Sequence, residues 1–181
     1  MISLNFLKIA LKDYKVAAVA ESSKHAVKAV MAQFDAKSKY VVEYGPGNGV
    51  ITRALLAKMP KDGMLFVIEL VPDFIPELNA INDARLKVVQ GDVSTLSGKL
   101  LEFGVPHIDT VVSGIPFSFF NKKTRETVIK NTHVSLRSGG VFLVYQFSLL
   151  IRPLLKKYFR SVSFSFEPRN VPPYFVMRAE K

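Results

Sequence analysis

The chain of 181 residues contains no cysteine, which excludes disulfide scaffolds, thiolate metal sites and cysteine nucleophiles together. Histidine is scarce: His25, His107 and His133 are scattered without metal-ligand spacing, so no metal is expected. Long hydrophobic runs are also missing. The longest, Val141 to Ile151, contains Gln146 and falls short of the ~20 apolar residues a spanning helix needs. A secretory leader is not expected either. Ala18-Val19-Ala20 has the look of a cleavage site, but Lys8, Lys12, Asp13 and Lys15 break the apolar stretch before it, so a cytoplasmic chain is expected. Acidic residues are in short supply, 15 against 25 basic ones, for a net charge of +10. Such a surplus points to an anionic partner, nucleic acid or an anionic membrane surface, and says nothing about fold.

What is present is enough for a full core: 49% of residues are hydrophobic and 22% charged, which excludes intrinsic disorder. The charge is uneven. Residues 1–39 carry seven lysines and three acids, residues 40–110 six basic and nine acidic groups, and residues 111–181 twelve basic and three acidic groups. A mildly acidic middle thus lies between two basic ends.

Short apolar runs alternate with helical stretches, the pattern of a parallel sheet flanked by helices. Strands are predicted at Tyr40–Tyr44, Met64–Glu69, Leu86–Gln90, Asp109–Ser113 and Val141–Phe147, with two more near Ser161–Phe166 and Tyr174–Ala179. Helices fit at Val50–Met59, Asp73–Ile81, Val93–Phe103, Lys122–Leu136 and Arg152–Phe159, with Gly139-Gly140 as turn punctuation. No repeat or linker interrupts the chain, so the expected division is a helical extension over 1–38 and one α/β domain over 39–181. Two helices are predicted in that extension. In the second, Val27, Val30, Met31 and Phe34 recur at helical spacing and form a core-facing stripe, with Ser22 and Ser23 as N-caps. In the first, Ile2 to Tyr14, residues Asn5, Lys8, Lys12 and Lys15 share one narrow arc and the rest is largely apolar. A wide apolar face edged by lysines suits a membrane interface; the plainer reading is an amphipathic helix docked on the domain.

The most informative stretch is Glu43-Tyr44-Gly45-Pro46-Gly47-Asn48-Gly49-Val50, a glycine-rich turn between a β-branched strand and a helix. Glycines let the backbone pass close to a ligand, and the helix start directs N–H groups toward it. A dinucleotide site would place a third glycine at position 50, where Val50 stands. Glu69 closes the second strand, well placed for a ribose diol, and Asp92 closes the third, suited to an adenine amino group. Acids at the carboxyl ends of three successive strands point to a ligand there.

The E-x-G-x-G-x-G spacing resembles the first motif of class I S-adenosylmethionine-dependent methyltransferases. The turn Ser113-Gly114-Ile115-Pro116-Phe117 resembles the acceptor motif of amino-group methyltransferases, with one extra residue before the proline. Phe6-Leu7-Lys8, Val16 to Ser23, Tyr145-Gln146-Phe147 and Arg169 to Pro173 extend the resemblance to bacterial-type phospholipid N-methyltransferases. Glu21, where proline is expected, and Phe117 depart from that pattern, which bears on the exact lipid rather than on the cofactor. The resemblance implies an α/β class I methyltransferase (Rossmann-like) three-layer sandwich with a seven-stranded, mostly parallel sheet. It implies S-adenosyl-L-methionine as cofactor, held by Glu43, Gly45, Pro46, Gly47, Gly49, Glu69, Leu70, Asp92, Val93 and Ser113. The acceptor amine falls to Ser113, Gly114, Pro116 and Phe117, with Phe119, Phe120 and Phe147 as further channel candidates, although as aromatics these four phenylalanines are expected in the core first, and with Tyr44, Tyr145 and His25 as positional candidates for a base. The implied partner is a phospholipid, phosphatidylethanolamine foremost, at an anionic membrane surface, met in part by Arg152, Lys156, Lys157 and Arg160. The more distant resemblance is to rRNA adenine dimethyltransferases, with RNA as partner. Those enzymes usually carry a C-terminal helical domain, for which no chain is expected beyond the last strand. A non-catalytic lipid- or RNA-binding module on this fold is disfavoured by the intact glycines and acids.

Overall fold

The computed structural model describes residues 24–169 and 173–181. The predicted helix Ile2–Tyr14, the Ser22 and Ser23 caps and part of the Arg169–Pro173 motif lie outside the described residues. In chain order the elements are α1 (Lys24–Gln33), β1 (Tyr40–Tyr44), α2 (Val50–Lys58), β2 (Met64–Glu69), α3 (Ile75–Asn79), β3 (Leu86–Gln90) and α4 (Val93–Leu96). These are followed by β4 (Ile108–Ser113), α5 (Lys122–Ser135), β5 (Leu136–Gln146), α6 (Arg152–Tyr158), β6 (Ser161–Glu167) and β7 (Tyr174–Glu180).

The strands form one seven-stranded sheet in the order β3-β2-β1-β4-β5-β7-β6, parallel except for β7. β1, β2 and β4 are buried along nearly their whole length, because helices cover both faces of the sheet. On one face Val42, Tyr44, Val111 and Phe142 pack with Val128 and Ile129 of α5 and Leu155 of α6. On the other, Val41, Val67, Val112 and Leu143 pack with Ile51 and Leu55 of α2 and with Val30 and Phe34, at and just beyond the end of α1. The stripe on α1 therefore faces the core, as its spacing predicts. The strand order reverses between β1 and β4, which opens a crevice at their carboxyl ends.

Three elements differ from the sequence expectation. The helix predicted over Val93–Phe103 is broken after Leu96, and a 3-10 turn, Leu100–Phe103, closes at Gly104 with φ 80°. Gly98 in the gap weakens helix continuity. The segment predicted as a helix from Asp73 begins as the 3-10 turn Pro72–Phe74 and becomes helical only at Ile75. Pro76 lacks an N–H and its ring crowds the carbonyl four residues back, so it is tolerated only in the first turn. β5 starts five residues early and carries Gly139-Gly140 inside a bulge: Leu136 pairs with Ile108 and Val141 with Thr110. Gly139 takes φ 70° there, so the turn signal was real but sits within a strand.

Candidate active site

The glycine turn leaves β1 at the crevice. Gly45, Gly47 and Gly49 adopt φ of 66°, 56° and 78°, the left-handed region that disfavours side chains. A Cβ on Gly45 would lie 2.6 Å from Cγ2 of Ile115, so the turn after β1 and the turn after β4 are in contact here. Parallel pairing continues past the strand ends: Gly45 N–H donates to the Ile68 carbonyl (2.9 Å), Gly91 N–H to Glu69 (2.8 Å) and Gly114 N–H to Tyr44 (3.0 Å). Four turns are thereby laced side by side. Gly49 is the N-cap of α2, and having no side chain it leaves the first N–H groups of that helix without a side-chain cap.

The three strand-end acids occupy different environments. Glu43 is fully buried; its Oε2 accepts from Thr52 Oγ1 at 2.7 Å, while Oε1 has no partner. Burial pushes its pKa up to about 8; the Thr52 hydrogen bond opposes that shift and the Glu69 charge adds to it. A ligand's ammonium group is the partner such a carboxyl lacks. Glu69 is buried too, with Oε2 accepting from Gly47 N–H (3.0 Å) and Oε1 from Val71 N–H (2.8 Å). Burial raises its pKa against the pull of those N–H groups. Each oxygen keeps a lone pair, so a diol still finds acceptors. Asp92 caps α4 by accepting from Ser94 N–H at 2.7 Å and remains half-buried. Leu70 is exposed and Val93 belongs to the core; Pro46 is buried within the turn.

Beyond β4, Ser113 is fully buried with an unpartnered Oγ. A Cβ on Gly114 would meet the Tyr145 hydroxyl at 2.3 Å, so only glycine lets that tyrosine lie against the acceptor turn. Pro116 is half-buried. Phe117 is fully buried, edge-on to Phe120 and Phe142, so its ring completes the core beneath the turn. Phe120 packs against the same core, whereas Phe119 and Phe147 are exposed. Tyr44 is not placed to accept a proton. Its hydroxyl is buried against Thr132 Oγ1 at 2.9 Å, and burial raises its pKa further. His25 lies at the start of α1, near enough to Glu167 at the carboxyl end of β6 that, behind the Arg169 hydrogen bond, its charge helps lower that carboxyl's pKa. Gln146, which breaks an apolar run and belongs to the Tyr145-Gln146-Phe147 resemblance, joins two turns: Oε1 accepts from Phe117 N–H (3.3 Å) and Nε2 donates to the Ser148 carbonyl (2.6 Å). Among the described residues, no acid or histidine cluster is arranged to hold a metal.

The site fits S-adenosylmethionine: a glycine cradle that added Cβ atoms would disrupt, a buried orphan carboxyl oxygen for an ammonium and paired acceptors for a diol. Fold and site together define a class I S-adenosylmethionine-dependent methyltransferase. Comparison with known proteins agrees. Residues 41–140 match the family described as a methyltransferase domain. The chain is 33% identical over 139 residues to an ornithine lipid N-methyltransferase of Singulisphaera acidiphila, covering 75% of this chain and 72% of that one. Its fold aligns with 1,6-didemethyltoxoflavin-N1-methyltransferase of Burkholderia thailandensis, solved with S-adenosylhomocysteine, at TM-score 0.74 and 18% identity over 98% of this chain and 85% of that one. It also aligns with the N-methyltransferase NodS of Bradyrhizobium japonicum WM9, in complex with S-adenosyl-L-homocysteine, at TM-score 0.68 and 12% identity over 89% of each chain. The chain belongs to the S-adenosylmethionine-dependent methyltransferases and is an N-methyltransferase with S-adenosylmethionine as its cofactor.

Proposed function

We propose that this enzyme methylates the amine head group of a membrane lipid, phosphatidylethanolamine or an amino-acid lipid, at the bilayer surface. The contact between Gly45 and Ile115 carries the reading, because it sets the acceptor turn directly against the cofactor turn. Bound S-adenosylmethionine supplies an activated methyl on a sulfonium, so the protein's work is alignment and exclusion of water. The glycine turn, Glu43 and Glu69 hold the donor; Ser113 Oγ and the Gly114–Pro116 backbone orient the nitrogen, and Tyr145 walls that turn. The ammonium sheds its proton to water before attack.

The lipid assignment draws support from the ornithine lipid relative and from the basic last third of the chain. The lysine-edged segment Ile2–Tyr14 is proposed to add membrane affinity. Among the described residues, no helix is long and apolar enough to cross a membrane. The test is transfer of label from S-adenosylmethionine to vesicles containing phosphatidylethanolamine, to vesicles containing ornithine lipid, or to ribosomal RNA. Label in either lipid supports the reading and names the head group; label in RNA alone overturns it.

A further inference from the structure

The large apolar side chains left in solvent are not spread evenly. Among the described residues, Leu70, Leu101 and Val134 stand apart, whereas Phe119, Phe147, Leu150, Phe164 and Phe166 are each between 38% and 53% exposed and belong to the second half of the sheet. β4 and β5 are parallel, and β6 runs with them because both β5 and β6 are antiparallel to β7. The carboxyl ends of β4, β5 and β6 therefore share one edge. Phe119 follows β4, Phe147 and Leu150 follow β5, and Phe164 and Phe166 stand in the carboxyl half of β6. Five exposed apolar side chains thus converge on the edge that carries the acceptor turn.

The charges around them are mostly basic. Residues 114–121 and 147–153 contain no acid. The three carboxylates of the last third are already engaged: Glu126 with Lys157 and Tyr158, Glu167 with Arg169, Glu180 with Arg160 and Arg178. Lys122 and Lys123 are exposed at the start of α5, just beyond Phe119. Arg152 lies with its guanidinium carbon 4.9 Å from the Phe164 ring centre, and its Nε is buried without a partner. A cation over an aromatic ring at an apolar rim is the arrangement of a side chain that keeps its stem in acyl chains and its head at phosphates.

We propose that this edge is the face that docks on an anionic phospholipid bilayer, with Leu150 and the exposed phenylalanines entering the interface and Lys122, Lys123 and Arg152 meeting phosphates. The inference rests on the lipid reading of the site and adds its orientation: the acceptor turn faces the membrane, so a head group reaches it without leaving the bilayer. A bilayer fits better than RNA, because aliphatic Leu150 inserts among acyl chains but offers no face to a base.

The test is co-sedimentation with vesicles of phosphatidylcholine containing phosphatidylglycerol, with S-adenosylhomocysteine affinity as the check on folding. The Leu150→Ser/Phe166→Ser and Lys122→Glu/Lys123→Glu double variants should each partition about tenfold more weakly while S-adenosylhomocysteine affinity stays within twofold. Only the charge variant should lose its effect at high salt. Wild-type partitioning in both variants overturns the proposal, as does binding of the full chain to RNA and not to vesicles. Short-chain phosphatidylethanolamine and short-chain ornithine lipid, supplied as monomers, separate this from the function: failure to methylate either in a chain that sediments normally overturns the lipid reading and leaves the docking face standing.

Discussion

The carboxyl edge of the sheet divides at the β1/β4 crevice into two halves of opposite character. The half made by β1, β2 and β3 ends in Glu43, Glu69 and Asp92 and in a turn with three left-handed glycines. The half made by β4 to β7 ends in phenylalanines, tyrosines and cations, with its carboxylates already ion-paired. One half thus suits a small ligand bearing an ammonium and a diol, and the other an anionic, apolar surface. Parallel strands make this possible because each delivers its own turn to the same edge, so neighbouring turns can hold ligands of opposite charge. The acidic middle and basic end of the sequence are this division read along the chain.

The contact joining the halves is the place to break them together. Gly45→Val should have the largest effect: it forces a β-branched residue to φ 66° and drives Cβ into Ile115. S-adenosylhomocysteine binding should fall beyond calorimetric detection, and retained micromolar affinity would refute the cradle. Gly114→Ala should separate the halves. Its Cβ meets the Tyr145 hydroxyl, so turnover should fall about 100-fold through misplacement of the acceptor turn. S-adenosylhomocysteine affinity should stay within threefold; a parallel loss of both would erase the distinction drawn above.

Gln146→Ala should act more gently, leaving the buried Phe117 N–H unsatisfied at a cost of about 1–2 kcal/mol in urea unfolding. Turnover should fall severalfold with unchanged cofactor affinity, which stopped-flow binding would check. Asp109→Asn, at the opposite end of the strands, should leave turnover at saturating substrate intact. Burial opposes the Asp109 charge, but the N–H groups of Tyr40 and Lys39 and the Arg137 guanidinium outweigh it and hold its pKa below the ordinary value. A depressed folded-state pKa adds stability above the unfolded value and loses it as pH falls through the folded one. The variant should therefore be less stable near pH 7, with the gap to wild type beginning to close only as pH falls below about 4. A constant difference down to pH 2 would contradict the assignment.

Much of this was legible in sequence because it is local. Strand limits follow from apolar runs that need burial on both faces, and the E-x-G-x-G-x-G spacing carries its own conformational demand. For Phe117, Phe119, Phe120 and Phe147 composition favours core over channel, but the same ring in the same motif serves either, and only the fold separates buried Phe117 and Phe120 from exposed Phe119 and Phe147. Gln146 stood out as an interruption and within the Tyr145-Gln146-Phe147 resemblance, but its bonding role was not readable, because its partner, Phe117 N–H, is 29 residues away in sequence. Glu69 was assigned to a ligand alone, and only the folded chain brings Gly47 N–H to it.

By itself the sequence determined the element order, the glycine cradle, the acids that end successive strands and the sign of charge in each third. These depend on neighbours within a few residues, where spacing and side-chain chemistry suffice. Tertiary structure alone decided that the two turns touch, that Glu43 keeps an orphan oxygen, that Tyr145 lies against Gly114 and that the exposed phenylalanines share one edge. Those are meetings of residues far apart in the chain, and only the pairing order of the strands sets them.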